Sequence, residues 1–466
     1  MQSGFQTLRQ APPRPSVLSG FEYLRLPAAW KVRSERSLPR RDREAFAQAV
    51  LNAGNLKVRA RERQNPGLSL TTCVGGSPVQ VIVLSNSASS PLPALLQRFV
   101  SEGRYAGVSV LALRDGQPLH QVAAGFQEVE SRRPMTVDSI VRIHSVTKVL
   151  TAVTALTFLE EGQIDLGEPV ETYLPEVRSF QVIAGSPPEA PELRKPARPM
   201  TVRDLFRHTA GIAYPAPGTP TEPFFAEAGV SESVSLADKI RRIVRVPLVS
   251  DPGVQFDYGY GTDFLARVLE VVSGRPFEQL LSERVLEPAG MAETGFTVAD
   301  PALDRLAMVH EGGGPGSPLR VIPMVAGERR PGAWRHPLGG SGLYSTLADL
   351  GRFGRILCAG GEFGGTRLLG RKTVDLMRAN HLAGTASPYH SFDAGSGFGL
   401  GVGVRLELGL ADRADSPGCF GWNGLASTFF RVDPAERLVL VVLIQHFPFD
   451  EHRLLGRIAN VIYSQL

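Results

Sequence analysis

The sequence predicts an α+β fold of the broad α/β class. One antiparallel sheet is formed by both ends of the catalytic region, is flanked by helices, and is interrupted by an all-helical insertion. Three features predict it. Strand-like runs cluster at about residues 104–130 and again at about 335–466. The stretch between them, about residues 160–330, carries helical periodicity. The balance of 43% hydrophobic to 21% charged residues over 466 positions is that of a globular protein able to bury a large core.

Residues 1–90 stand apart from the domain expected at 91–466. The first 66 hold 13 Lys and Arg against 5 Asp and Glu, with Arg-Pro, Pro-Pro and Ser clusters and little periodicity. They predict a basic, largely disordered extension in which residues 43–58 have the spacing of one short helix. The folded body begins near Leu92, where Leu95, Leu96, Phe99 and Val100 have helical spacing and Gly103 stops the run. Residues 108–113 and 119–124 read as strands joined at Asp115-Gly116, a hairpin signal. Residues 145–161 are mostly apolar or Thr on all sides and end at Gly162, which predicts a buried helix. Further helices are expected at residues 201–208, 235–244, 262–273 and 276–286. The proline-rich stretch 214–223 reads as an ordered surface loop near the site. Near the C-terminus, residues 400–408 alternate glycine with apolar residues. Residues 426–432 and 438–444 form a second hairpin across Asp433-Pro434-Ala435-Glu436, and residues 451–465 a last amphipathic helix.

Several function classes are disfavoured. The first 66 residues carry a net charge of +8 and the remainder −4, so the body is not expected to bind nucleic acid. No apolar run reaches 18 residues, and no secretory signal opens the chain. A cytoplasmic protein is expected, although the Arg-rich, acid-poor leader also has the character of an organelle-targeting segment. The three cysteines, Cys73, Cys358 and Cys419, are widely spaced, which argues against a disulfide framework or a thiolate zinc site. Nine histidines include no H-E-x-x-H or H-x-H cluster, and no G-x-S-x-G occurs, so metallohydrolases and α/β-hydrolases are disfavoured. No cofactor and no metal are expected; the oligomeric state is open.

Three elements carry chemistry. Of 50 basic residues only six are lysines, and one of these, Lys148, follows Ser145 by three positions at the start of the most apolar predicted helix. Residues three apart share a helix face, so a hydroxyl and an amine can meet there. Burial disfavours the charged form of an amine, and an amine free of its proton can activate a hydroxyl; arginine cannot. The second element is Asp257-Tyr258-Gly259-Tyr260, ahead of an amphipathic helix, where a phenol beside an ammonium can relay protons. The third is Gly421-Trp422-Asn423-Gly424, opening a strand whose glycines let a substrate lie against backbone N–H groups.

In this order and at these separations, the three elements resemble the class C β-lactamase-like serine hydrolases. That group includes family VIII carboxylesterases, certain acyltransferases and penicillin-binding peptidases. Leu205-Phe206-Arg207-His208-Thr209-Ala210-Gly211 is similar to the group's helix end followed by His-Thr-Ser-Gly. Glu287-Pro288-Ala289-Gly290-Met291 resembles its Pro-Leu-Gly-Met segment. Gly340-Ser341-Gly342-Leu343-Tyr344-Ser345-Thr346, with Asp349, resembles its Gly-Gly-Leu-Ser-Thr-x-x-Asp segment. The resemblance covers about residue 92 to the C-terminus and implies a β-lactamase/transpeptidase-like fold. It implies Ser145 as nucleophile, Lys148 as its proton acceptor and Tyr258 as a proton shuttle. The N–H groups of Ser145 and Leu425 would form an oxyanion hole, with Trp422, Asn423, Gly424 and Tyr260 beside the substrate. His208 is expected to be structural, and His144, adjacent to Ser145, is not expected to act as its base.

Two departures bear on the activity. Where the β-lactamases and peptidases carry Lys-Thr-Gly, this sequence has Trp422, which cannot pair with a carboxylate. Tyr260 stands where their Tyr-x-Asn has Asn. Both favour a neutral, apolar ester or acyl donor, although a carboxylate could still meet one of 44 arginines. The expected function is carboxylic ester hydrolysis through an acyl-enzyme. The alternatives are acyl transfer at the same site, then β-lactamase or D-amino-acid peptidase activity, and last a non-catalytic member of the fold.

Overall fold

The alternation of side chains along two central strands organises the molecule. The structure is a computed structural model, and it describes residues 90–184, 192–314, 316–383 and 394–466, with the backbone of residues 56–60, 68–74 and 77–85. In β4 (Gly107–Arg114), Val108, Val110 and Ala112 face one side and Leu111 and Leu113 the other, as period-two geometry requires. In β10 (Leu438–Ile444), Leu440 and Val442 share the first face, and Val439, Val441 and Leu443 the second. The sheet is therefore covered on both sides. β4 turns into β5 (Gln117–Glu128) through Asp115 and Gly116, both at positive φ (53° and 73°), as a two-residue hairpin turn demands.

The sheet has eleven strands. With β1 (Leu56–Ala60), β2 (Leu68–Val74), β3 (Ser77–Ser85), β6 (Ser396–Phe398), β7 (Gly403–Arg405), β8 (Phe420–Gly424) and β9 (Thr428–Asp433), the main path runs β1-β2-β3-β5-β4-β10-β9-β8-β7-β6. All nine pairings along it are antiparallel, and the short strand Arg133–Pro134 pairs with β5. Thus both ends of the domain meet at β4–β10, as expected. Strands β1 to β3 fall within the stretch expected to be a poorly patterned extension; their backbone continues the sheet beyond β5. The short helix expected at residues 43–58 falls largely outside the described residues.

Helices α1 (Leu92–Ser101) and α6 (Leu454–Tyr463) close the first face, with Leu96 and Phe99 packed among Leu454, Ile458 and Ile462. On the second face lies α5 (Leu347–Cys358). Its approach depends on Gly354, where a Cβ would stand 2.4 Å from Val439 Cγ1. Behind it runs α2 (Thr147–Glu160), buried from Thr147 through Phe158. The polar groups of this helix are satisfied locally: Thr151 donates to the carbonyl oxygens of Thr147 (3.1 Å) and Gly339 (2.7 Å). The insertion supplies α3 (Val202–Phe206) and α4 (Gly261–Ser273), which pack in the same core. Among the described residues, no helix is long and apolar enough to cross a membrane.

Candidate active site

Ser145 sits in a short 3-10 turn, His144–Val146, that runs directly into α2. The chain reaches it from the strand Val141–Arg142, and His144 makes the reversal at φ 44°. One turn on, Lys148 is wholly buried. Its Nζ lies 3.4 Å from Ser145 Oγ, 2.8 Å from Tyr214 Oη and 2.7 Å from the Gly340 carbonyl oxygen. Gly340 is itself held by its N–H donating to Asp263 Oδ1 (3.3 Å). The carbonyl can only accept, so it takes one amine hydrogen; the two hydroxyls can either give or take.

Tyr258 precedes α4. Its hydroxyl accepts from Trp422 Nε1 (2.8 Å), and its ring lies 4.9 Å from Lys148 Nζ. His208 packs against the same ring at 4.7 Å, and its Nδ1 accepts from the Gly259 N–H (3.4 Å). Burial, then the charge of Lys148, hold His208 well below the usual histidine range, so it is a neutral support for Tyr258. His144 is pushed down to about 3 by burial and by Arg142 and Lys148, and it makes no hydrogen bond to Ser145.

The end of β8 closes the other side. A Cβ on Gly424 would stand 2.4 Å from the Ile143 carbonyl oxygen, so only glycine lets this strand press against the segment that carries Ser145. Trp422, Asn423, Gly424 and Leu425 line one cleft of about 260 Å³ together with Ser145 and Tyr258. Trp422 forms a buried wall and Leu425 an exposed rim. Charged side chains line the cleft as well: Arg431, and Arg405, whose Nε donates to Asp415 Oδ1 at 2.8 Å.

Seven of the eight expected site residues thus come together. Tyr260 does not join them. It is buried behind Tyr214, edge-on at 4.5 Å, with Phe225 and the Lys239 ammonium on its other sides. The physical reason is local: its N–H donates to the Ile212 carbonyl (3.1 Å) and it caps α4, which turns the ring inward.

Tyr214 was not singled out from the sequence, which marked only its loop. Burial and the neighbouring Tyr258, Asp263 and Tyr260 push its phenol well above the ordinary range, so it stays a neutral hydroxyl. The one available signal was its place three residues after Gly211, where the His-Thr-Ala-Gly segment leaves α3.

The Beta-lactamase family model matches residues 92–462. The chain belongs to the Beta-lactamase family. As a member of that family it is a serine hydrolase with the β-lactamase/transpeptidase-like fold. It is similar to Protein Rv1367c of Mycobacterium tuberculosis, at 29% identity over 76% of this chain and 89% of that protein. It is 28% identical to Esterase EstB of Burkholderia gladioli, over 77% of this chain and 90% of EstB. Among solved structures it resembles EstCE1, described as a hydrolase with promiscuous acyltransferase activity, at a TM-score of 0.67 and 25% identity; the match covers 80% of this chain and 97% of EstCE1.

Proposed function

We propose that this protein hydrolyses small neutral carboxylic esters, with Ser145 as nucleophile, Lys148 as its base and Tyr258 as proton shuttle. The observation that carries this reading is a Ser145–Lys148 pair at 3.4 Å in a cleft walled by Trp422 instead of a lysine. Lys148, when unprotonated, donates to Gly340 and accepts the Ser145 proton as Oγ attacks the ester carbonyl. The N–H groups of Ser145 and Leu425 take the developing oxyanion. The carbonyl–alkoxy bond then breaks, and the leaving oxygen receives the proton from Lys148 by way of Tyr258. Water repeats the sequence on the acyl-Ser145, releasing the acid and restoring the serine. A cleft of about 260 Å³ is small for a ligand site, which suits a short acyl group. The relatives support this reading: beside EstB, the chain is 26% identical to Lovastatin esterase of Penicillium rubens.

Acyl transfer to an alcohol is the second reading. It is favoured by 27% identity, over 71% of this chain, to Monacolin J acid methylbutanoyltransferase of Aspergillus terreus. The two share every step up to the acyl-enzyme and differ in whether water or an alcohol attacks it.

The deciding experiment is intact mass after fluorophosphonate treatment of wild type and Ser145→Ala, alongside turnover of short p-nitrophenyl esters with and without an added alcohol. We expect one adduct on wild type only and a turnover loss of about 10³-fold or more in the variant. A transfer product with added alcohol would select the second reading. Turnover that survives in Ser145→Ala would refute both.

A further inference from the structure

The segment that follows β10 gathers three side chains that no step of the proposed mechanism uses. His446 and Glu451-His452 are separated by four residues in sequence, a spacing outside the H-x-H and H-E-x-x-H patterns. In the fold their ligating atoms lie within 4.8 Å of one another. Glu451 Oε2 is 2.9 Å from His446 Nε2 and 4.0 Å from His452 Nε2. Metal–ligand bonds of 2.0–2.2 Å arranged tetrahedrally place neighbouring ligand atoms about 3.3 Å apart, so these distances bracket what one ion requires.

A hydrogen bond from His446 to Glu451 accounts for only part of the cluster. His452 Nε2 is buried without a hydrogen-bond partner among the described residues. Buried polar atoms in that state are uncommon and call for an explanation. The scaffold around them is built and rigid. The Tyr105 ring stands edge-on to both imidazoles, at 4.9 and 5.1 Å. Its hydroxyl accepts from the His452 N–H (3.1 Å) and donates to Asp450 Oδ1 (3.3 Å). Asp450 in turn accepts from the N–H groups of Leu454 and Leu455 at the start of α6. Glu451 is partly exposed, which gives an ion a way in and leaves room for water as a further ligand.

We propose that His446, Glu451 and His452 bind one divalent transition-metal ion of the zinc class, separate from the catalytic residues. Two imidazoles and a carboxylate suit zinc and its neighbours and are poor ligands for calcium or magnesium. The ion would act as a staple. The same segment carries Phe449, which lines the cleft beside Ser145. It is tied to the end of β8 by Ser427, whose hydroxyl donates to the His446 carbonyl (3.0 Å) and accepts from the Asp450 N–H (2.9 Å). Fixing residues 446–452 therefore fixes one rim of the cleft without touching the reacting atoms.

The test is titration of the chelator-treated full-length protein with Co²⁺ alone, read by visible absorption and by metal content after gel filtration. One equivalent bound with a four- or five-coordinate Co²⁺ spectrum, and displaced by Zn²⁺, is the expected result. Affinity should fall at least about tenfold in His452→Gln and in Glu451→Gln, and stay unchanged in His381→Gln, a histidine on another part of the surface. His452 is the more exposed of the two histidines, so its variant should fold even where His446→Gln does not. No uptake by wild type, or uptake that His452→Gln and Glu451→Gln leave unaltered, would overturn the proposal. Because the readout is metal binding, the outcome is independent of whether the ester-hydrolase reading holds.

Discussion

Two phenols lie beside Lys148, and their surroundings assign them different work. Tyr214 Oη lies 2.8 Å from the amine, and burial, with Tyr258, Asp263 and Tyr260 beside it, keeps its proton on. Tyr258 faces the cleft, and its oxygen accepts the Trp422 N–H, which fixes where the phenol stands. Tyr258→Phe should therefore lower kcat for p-nitrophenyl acetate by about 10²- to 10⁴-fold, the usual range for general acid–base groups. Tyr214→Phe, which removes only a partner that positions Lys148, should cost about tenfold; equal losses in the two variants would contradict the division. Trp422→Phe deletes one hydrogen bond to the Tyr258 oxygen while keeping the wall, and should also lower kcat about tenfold with KM little changed. That Ser145 and Lys148 would meet was legible in their helix spacing, and the place of Tyr258 beside them in the resemblance to the family. Tyr214 and Gly340 were not, because their roles depend on a loop and a backbone carbonyl brought to the amine from 66 and 192 residues away.

At the scale of elements, the turn bearing Ser145 is held from two directions. From one side β8 presses in at Gly424. Gly424→Ala would force a Cβ against the Ile143 carbonyl and move the strand end that supplies the proposed Leu425 N–H. Fluorophosphonate labelling of Ser145 should slow by about 10²-fold, the cost of losing one oxyanion donor, while the far-ultraviolet circular dichroism stays as in wild type. From the other side, the strand Val141–Arg142 pairs with Tyr344–Ser345, and Arg142 reaches a fully buried Glu328. The guanidinium makes two hydrogen bonds to that carboxylate, at 2.7 and 3.2 Å, and the Tyr344 hydroxyl donates to it as well. Removing one partner leaves a buried charge without its counter-ion. Glu328→Ala should lose about 3–5 kcal/mol in urea unfolding, and Arg142→Met in the Glu328→Ala background should recover part of it. None of this pair was visible beforehand, since a charge pair 186 residues apart leaves no periodicity. The hairpins and α2 were visible because their own periods and glycine stops specify them.

For the molecule as a whole, acid stability separates groups of opposite sign. Burial would raise the Asp204 carboxyl, but hydrogen bonds from Arg198, the Thr201 backbone and the Thr209 hydroxyl more than offset it and hold the group at about 2. Its folded value therefore lies below its unfolded value of 3.8, so its contribution is complete at neutral pH and is lost as pH falls from about 4 to 2. The shift corresponds to about 2 kcal/mol. His144 and His310, pushed down to about 3 and about 4 chiefly by burial, act in the same direction over a higher window, because the unfolded chain takes up their protons first as pH drops below 6.5. Asp257, Asp349 and Asp450 oppose them: burial raises their carboxyls, so the fold favours their protonated forms. Wild-type stability against pH is thus a sum of several terms, and only a difference isolates one of them. Asp204→Asn should be less stable than wild type by about 2 kcal/mol or more at pH 7 in urea unfolding. The gap should narrow between pH 4.5 and 2, where the wild-type side chain becomes neutral too. A gap that stays constant over that range would mean that Asp204 acts through shape and neutral hydrogen bonds, and that its charge contributes nothing to holding α3 and the loop that follows it.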